Sequence, residues 1–289
     1  MIPALPDITL AAGERLYLLL DGAQLPALER TLFELIDSPA YQPIYLYAPW
    51  DGLREASPLL VAANPVLLAW YQQQSAKAGY LLSSYLPLLP LAELLRQVIE
   101  VESPYGSRVL LKMAQPEGMA RLLVDDTPLL WQGLNQVWLP VRQKILPNGP
   151  VHWWHKRVSD TLAERQDERL RLNDQQWARL GEVSWLDTLD TIAQHMRKWF
   201  PARLIQQANQ AEWIAYWADW AYGRGFTSAA DLLSFFNVLG FIGTEWHDGN
   251  QYPDIHALII QHSAHTPAQR IAHAVELAET AHKKQGVAG

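Results

Sequence analysis

The chain has 289 residues, 49% of them hydrophobic, enough to bury the core of one large domain or two ordinary ones. A net charge of −7, with no run of Lys and Arg, opposes nucleic acid as a partner, because phosphate-backbone binding needs a concentrated basic face. There is no cysteine, which excludes disulfides, thiolate nucleophiles and Cys-ligated zinc and is in keeping with a reducing cytoplasm.

The first residues, MIPALPDITLAAGERLYLLL, have no basic segment, and Glu14 and Arg15 precede the apolar stretch, so no signal peptide is expected. No apolar run approaches the roughly 18 residues of a membrane span, so no membrane is expected as a partner. The longest candidate, PLLVAANPVLLAWY, is interrupted by Asn64 and Pro65.

In chain order, Leu16 to Leu20 is a continuous aliphatic run that suits a strand buried on both faces. Leu25, Leu28, Leu32, Leu35 and Ile36 then follow at helical spacing. Pro43 to Ala48 is a second predicted strand, rich in aromatic and branched residues. Leu59 to Tyr71 reads as a helix bent or broken at Pro65. Gly79 to Ser84 is a third strand, Leu91 to Ile99 an amphipathic helix, and Arg108 to Ala114 a fourth strand. Pro116 fits the first turn of a short helix. Strands alternating with helices predict an α/β N-terminal lobe over residues 1–145, a mixed sheet with flanking helices.

The pattern changes near residue 145. Pro147, Asn148, Gly149 and Pro150 together signal a turn or linker. DTLAERQDERLR then holds seven charges in twelve residues, a solvated helix face or flexible connector. Residues 146–172 are therefore expected to be a charged linker or helix, and 173–289 an all-α C-terminal lobe. Asn173 and Gln176 have capping-box spacing, and Ser184 with Asp187 opens a further helix that ends before Pro201. Thr227 and Ser228 precede a helix expected to stop at Gly240. Thr266, Pro267 and Gln269 open the last helix, and Lys283 and Lys284 close it at the negative end of its dipole. No period repeats across about 20–50 residues, so no solenoid is expected.

Sites of chemistry are few. Asp21-Gly22-Ala23 follows the first strand, but a dinucleotide loop needs G-x-G-x-x-G, and a P-loop needs Gly-Lys-Ser/Thr; the turn reads as a tight strand-to-helix corner. Asp125-Asp126 could contribute to a hard-cation site, yet adjacent side chains point apart and the pair reads as a turn or cap. His152 and His155 would share a face on a helix. His256, His262 and His265 lack the H-E-x-x-H pattern. Ser83-Ser84 has no glycine elbow. No metal, cofactor or catalytic set is therefore expected.

The strongest feature is aromatic. Of 13 tryptophans, four precede residue 145 and nine follow it. Trp213, Trp217 and Trp220 fall at i, i+4 and i+7 on one helical face, with Trp153-Trp154 beside the linker as a second group. These five are candidate partner-binding residues, since Trp favours both cores and interface anchors.

Four ordered stretches resemble a known family. They are LYLLLDGAQ (Leu16 to Gln24), PIYLYAPWDGLREASPLLV (Pro43 to Val61), GYLLSS with LAELLRQVIEV, and GSRVLLKMAQPEGMARLL (Gly106 to Leu123). Together they are similar to bacterial type VI secretion adaptor or chaperone proteins, the domain-of-unknown-function family numbered 4123. The chain departs from the family pattern at Lys112, Met113, Ala114 and Gln115, where Arg, aromatics and Asp are usual. The resemblance implies a cytoplasmic, non-enzymatic protein. Its partners would be a toxic effector and the spike protein of the valine-glycine-repeat type onto which the effector is loaded. A competing expectation is an enzyme on an α/β scaffold with its active site near Asp21, because α/β folds bind ligands at strand ends.

Overall fold

The computed structural model describes residues 2–159, 169–261 and 263–287. It has two compact units, Met1–Gln143 with Pro150–Val183 and Lys144–Gly149 with Ser184–Gly289. The expected α/β N-terminal lobe and all-α C-terminal lobe are both present.

The first unit is built on a six-stranded sheet. Its strands are β1 (Arg15–Leu20), β2 (Tyr41–Pro43), β3 (Leu59–Ala62), β4 (Gly79–Ser84), β7 (Gln136–Arg142) and β8 (Val151–Arg157), in the order β2-β3-β1-β4-β7-β8. Every ladder in it is antiparallel. β1 lies inside the sheet, and its aliphatic run serves both faces. Tyr17 and Leu19 join one core cluster, Leu18 and Leu20 the other. Helices α1 (Leu28–Leu35) and α2 (Pro65–Gln72) pack Leu28, Leu32, Leu67 and Tyr71 on the second face. Helices α3 (Leu88–Arg96), α4 (Pro116–Leu123) and α5 (Pro128–Trp131) cover the first face. Each fully buried Leu, Val or Ile contributes about 1.5–3 kcal/mol, so two covered faces give this unit its stability. A separate hairpin-like pair, β5 (Glu100–Glu102) and β6 (Arg108–Leu110), stands apart from the main sheet.

Several elements differ from their sequence reading. Residues 59–62 form β3 rather than the start of a helix, and the helix begins at Pro65. There the Asn64 side chain caps it, accepting from the Leu67 N–H at 2.9 Å. An apolar run of LLVA suits either state, and pairing with β1 and β2 decides it. The strand expected at Pro43 to Ala48 ends at Pro43. Beyond it Ile44 N–H donates to Pro58 O at 2.9 Å and Tyr45 N–H to Ser57 Oγ at 2.8 Å, which turns the chain into a loop. The strand expected over Arg108 to Ala114 stops at Leu110. Val151–Arg157, placed by its Pro and Gly neighbours in a connector, is edge strand β8, in register from Gln136↔Arg157 to Arg142↔Val151. The charged run that follows lies, at residues 160–168, outside the described residues.

The second unit is helical. Helix α6 (Asp174–Trp199) begins in the first unit and ends in this one. It is one helix of 26 residues where two were expected. Its capping box is reciprocal: Asn173 N–H donates to Gln176 Oε1 at 3.0 Å and Gln176 N–H to Asn173 Oδ1 at 2.8 Å. Gly181 does not interrupt it, and Ser184, read as a cap, lies inside it. Then come α7 (Pro201–Ile205), α8 (Gln210–Tyr222), α9 (Ala229–Ile242), α10 (Pro253–Ile260) and α11 (Pro267–Val287). Helix α9 is capped by Ser228, whose Oγ accepts from Asp231 N–H at 3.0 Å, and continues through Gly240 to end at Gly243, φ 69°. The α11 capping box is formed as expected, with Thr266 N–H on Gln269 Oε1 and Gln269 N–H on Thr266 Oγ1. The core of this unit centres on Phe226, Phe235, Phe236 and Trp246, all fully buried.

Candidate functional site

Residues from the stretches that carry the family resemblance lie near the end of β1, Gly22 against Ser57, Arg96 on Pro43 and Lys112 by its charge on Asp21. Asp21 closes β1. Its backbone N–H donates to Ala78 O at 2.9 Å, and its side-chain Oδ1 accepts from Ala23 N–H at 2.9 Å. Gly22 is required by contact rather than by φ. A Cβ there would lie 2.4 Å from Ser57 O, so only glycine lets the turn rest on the 44–58 loop. Ser57 is buried, and its hydroxyl accepts from Tyr45 N–H while donating to Pro58 O at 2.9 Å. The loop is thus stapled from inside.

This corner is electrostatically tuned. Burial raises the Asp21 carboxyl above its ordinary value. Bonds from the Ala23 and Gln24 backbone and the charge of Lys112 oppose that without cancelling it. Burial and the nearby Asp21 charge push the Tyr45 hydroxyl up to about 12. The Lys112 charge therefore acts on the Asp of Leu-Asp-Gly-Ala. Next to this corner Arg96 donates to Pro43 O at 2.7 Å and pairs with Glu93 at 2.6 Å, while its guanidinium lies over the Tyr47 ring. Tyr47 and Leu53 on the loop are about half exposed, at 56% and 46%. The corner therefore offers a hydrogen-bonded loop with exposed apolar side chains and a half-buried acid behind it. The acid is held within a turn, with its first oxygen already bonded to the backbone.

The sequence-derived candidates distribute over both units. Trp153 and Trp154 are half-buried on β8 and point to opposite faces, Trp153 against one core cluster and Trp154 against the other. Trp153 Nε1–H donates to Ala4 O at 2.7 Å, tying down the N-terminal segment. Trp217 is 8% exposed in the core of the helical unit, and half-buried Trp213 and Trp220 pack on the same cluster. Trp220 stacks on Phe235 at 5.7 Å, and the Arg224 guanidinium lies 3.4 Å above its ring centroid.

Strand geometry separates His152 from His155, because residues three apart on a strand face opposite ways. His155 stacks on Trp138 at 5.0 Å and bonds Gln136 Oε1 at 3.1 Å. Asp125 and Asp126 likewise serve different cations, Arg179 at 2.6 Å and Lys156 at 2.9 Å. Among the described residues no three His, Cys, Asp or Glu are grouped so as to hold a metal, and His262 lies outside them.

One polar network escaped the sequence reading. Glu14, 8% exposed, accepts from Ser83 Oγ at 2.5 Å, from Gln136 Nε2 at 3.0 Å and from Ala11 N–H at 2.8 Å. Burial alone would raise the Glu14 carboxyl, but these bonds and the Arg157 charge outweigh it and hold it below its ordinary value. Burial, then the Arg157 charge, lowers the His155 imidazole. Gln136 also donates to Thr9 O at 3.1 Å, so the network fixes the N-terminal segment on the sheet. Partners this far apart along the chain leave no local signal.

No helix among the described residues is long and apolar enough to cross a membrane. No solved structure matches the chain. Residues 16–128 match the family model described as Domain of unknown function (DUF4123). The chain is 40% identical over 280 residues to a protein of Vibrio cholerae serotype O1 (strain ATCC 39315 / El Tor Inaba N16961) named "Accessory protein VasW", covering 96% of this chain and 92% of that relative. With that likeness along nearly the whole length, and the matched segment running from β1 to α5, the chain belongs to the DUF4123 family.

Proposed function

We propose that this protein is a non-enzymatic, cytoplasmic adaptor of a type VI secretion system that binds an effector and helps load it onto the spike protein. The observation that carries this reading is the 40% identity, over nearly all of both chains, to a protein named an accessory protein. Two features support it. Residues from the stretches that resemble secretion adaptors lie near the Asp21 corner, where the 44–58 loop presents Tyr47 and Leu53. Trp153, Trp154, Trp213 and Trp220 keep accessible edges next to packed cores, a setting suited to interface anchors, and Trp217 holds the helical stripe in place. An enzyme centred on Asp21 finds less support, since that carboxyl serves the turn. The test is co-purification: the tagged chain, expressed with the effector encoded beside it and the cognate spike, should retain both. Recovery of neither in a clean pull-down would refute the adaptor reading.

A further inference from the structure

The helical unit contains a built cavity whose role the adaptor reading leaves open. It has a volume of about 270 Å³ and is lined by Trp199, Phe200, Arg203, Gln206, Gly240 and His282. Gly240 on α9 lines it, and Gly243, which ends that helix, backs one of its side chains. A Cβ at Gly240 would lie 2.4 Å from the Phe200 ring, so glycine admits that ring as the cavity floor. A Cβ at Gly243 would lie 3.0 Å from Arg203 Nη1, so the Arg203 guanidinium rests against bare backbone. Phe200 is held edge-on to Phe241 at 5.1 Å, and Phe241 in turn packs near the His282 ring at 5.7 Å. Floor and wall are therefore fixed before anything binds.

The rim is apolar and basic together. Trp199 is 61% exposed and Ile205 75%, among the most exposed large hydrophobics in the molecule. The Lys198 ammonium lies 4.7 Å over the Trp199 ring. Arg197 and Lys198 close the last turn of α6, and Lys283 and Lys284 follow His282 near the end of α11. Lys283 pairs with Glu279 at 2.6 Å, but among the described residues no carboxylate reaches Lys198, Arg203 or Lys284. In a chain of net charge −7, Lys198 over an exposed tryptophan and Arg203 in the wall of a cavity of this size are a local reversal of sign.

We propose that this end of the helical unit docks an acidic segment of a partner protein, which inserts one apolar side chain over Phe200 and sets its carboxylates on Lys198 and Arg203. The cavity is too small for a drug-sized ligand but suits a single anchor residue, and the surrounding cations supply complementary charge and a faster encounter. The proposal deepens the adaptor reading and takes from it only that the partner is a protein.

The test uses the full chain and fluorescence anisotropy with three fluorescein-labelled peptides of roughly 12 residues. One is rich in Asp and Glu around a central Phe, the second has that Phe replaced by Ala, and the third has Lys in place of the acids. The first should bind, weaken between about 50 mM and about 500 mM salt, and lose about 10-fold or more in Arg203→Ala and in Trp199→Ala. The second and third should bind no better than those variants. Both positions have exposed or half-exposed side chains, so unchanged thermal melts would confirm that folding is intact. Absence of binding, binding untouched by both variants, or equal binding of a single-stranded oligonucleotide of similar charge would overturn the proposal. A pull-down with the neighbouring effector and spike separates the two claims. Capture without peptide binding sinks this inference alone, and peptide binding without capture sinks the adaptor reading alone.

Discussion

Replacing Trp217 by Ala removes the ring at the centre of the helical unit's aromatic cluster. The indole is 8% exposed, 5.5 Å from Trp220 and 6.2 Å from both Phe235 and Trp246. A buried indole takes about 200 Å² out of water, worth about 5 kcal/mol at about 25 cal/mol per Å². A compact denatured state already hides part of that area, which brings the loss to about 4 kcal/mol, within the roughly 3–5 kcal/mol typical of Trp→Ala in cores. For a domain of this size the melting temperature should fall by about 15 °C. Circular dichroism melts of wild type, Trp217→Ala and Trp199→Ala decide it. The exposed Trp199 variant should melt within about 2 °C of wild type. If Trp217→Ala also stayed within about 2 °C and kept a cooperative transition, the assignment of this residue to the core would be wrong.

At Asp21 the sign follows from the raised carboxyl. The folded state binds the proton more tightly than the unfolded chain, so ionisation at neutral pH costs stability, which returns as pH falls through the folded pKa. Asp21→Asn keeps an acceptor for Ala23 N–H and should be as stable as wild type or more so at pH 7, while Asp21→Ala should lose about 1 kcal/mol; urea titrations at pH 7 compare them. Glu14 works in the opposite sense. Its lowered carboxyl contributes stability above its unfolded value of 4.5 that is lost as pH falls through the folded pKa. Glu14→Ala should cost about 1–3 kcal/mol at pH 7 by leaving Ser83 and Gln136 unpaired, and the difference from wild type in urea should shrink in acid. Gly240→Ala should destabilise by about 1–3 kcal/mol, because Phe200 cannot move without disturbing Phe241; differential scanning calorimetry reads the shift.

Much of the scaffold was legible where local chemistry and tertiary context agree. The β1 run was buried on both faces as its continuous aliphatics imply, and the capping boxes at Asn173 and Thr266 formed with both reciprocal bonds. Elements were misread where sequence leaves two states open. LLVA reads as helix or strand, and only sheet pairing resolves it. HWWHK, flanked by Pro and Gly, hid the edge strand β8, and with it the separation of His152 from His155. Gly240 was expected to stop a helix, and Ser184 to start one just after Gly181. Gly181 has nothing within 4 Å of a Cβ position, so it costs about 1 kcal/mol of propensity, which the 26-residue helix absorbs, whereas Gly240 is needed by Phe200. At the candidate site the Asp21-Gly22 turn was visible, but its reason was not. Gly22 answers to Ser57, and Asp21 to Lys112 and Tyr45, contacts that exist only after folding. The aromatic stripe was visible as a face, but periodicity alone does not distinguish a face turned to the core from one turned to another chain.

The central claim is that this protein acts by carrying another chain. In cells, deleting its gene should abolish appearance of the neighbouring effector in the culture medium, leave export of the spike intact, and be reversed by the wild-type chain. Normal effector export from the deletion strain would contradict the account.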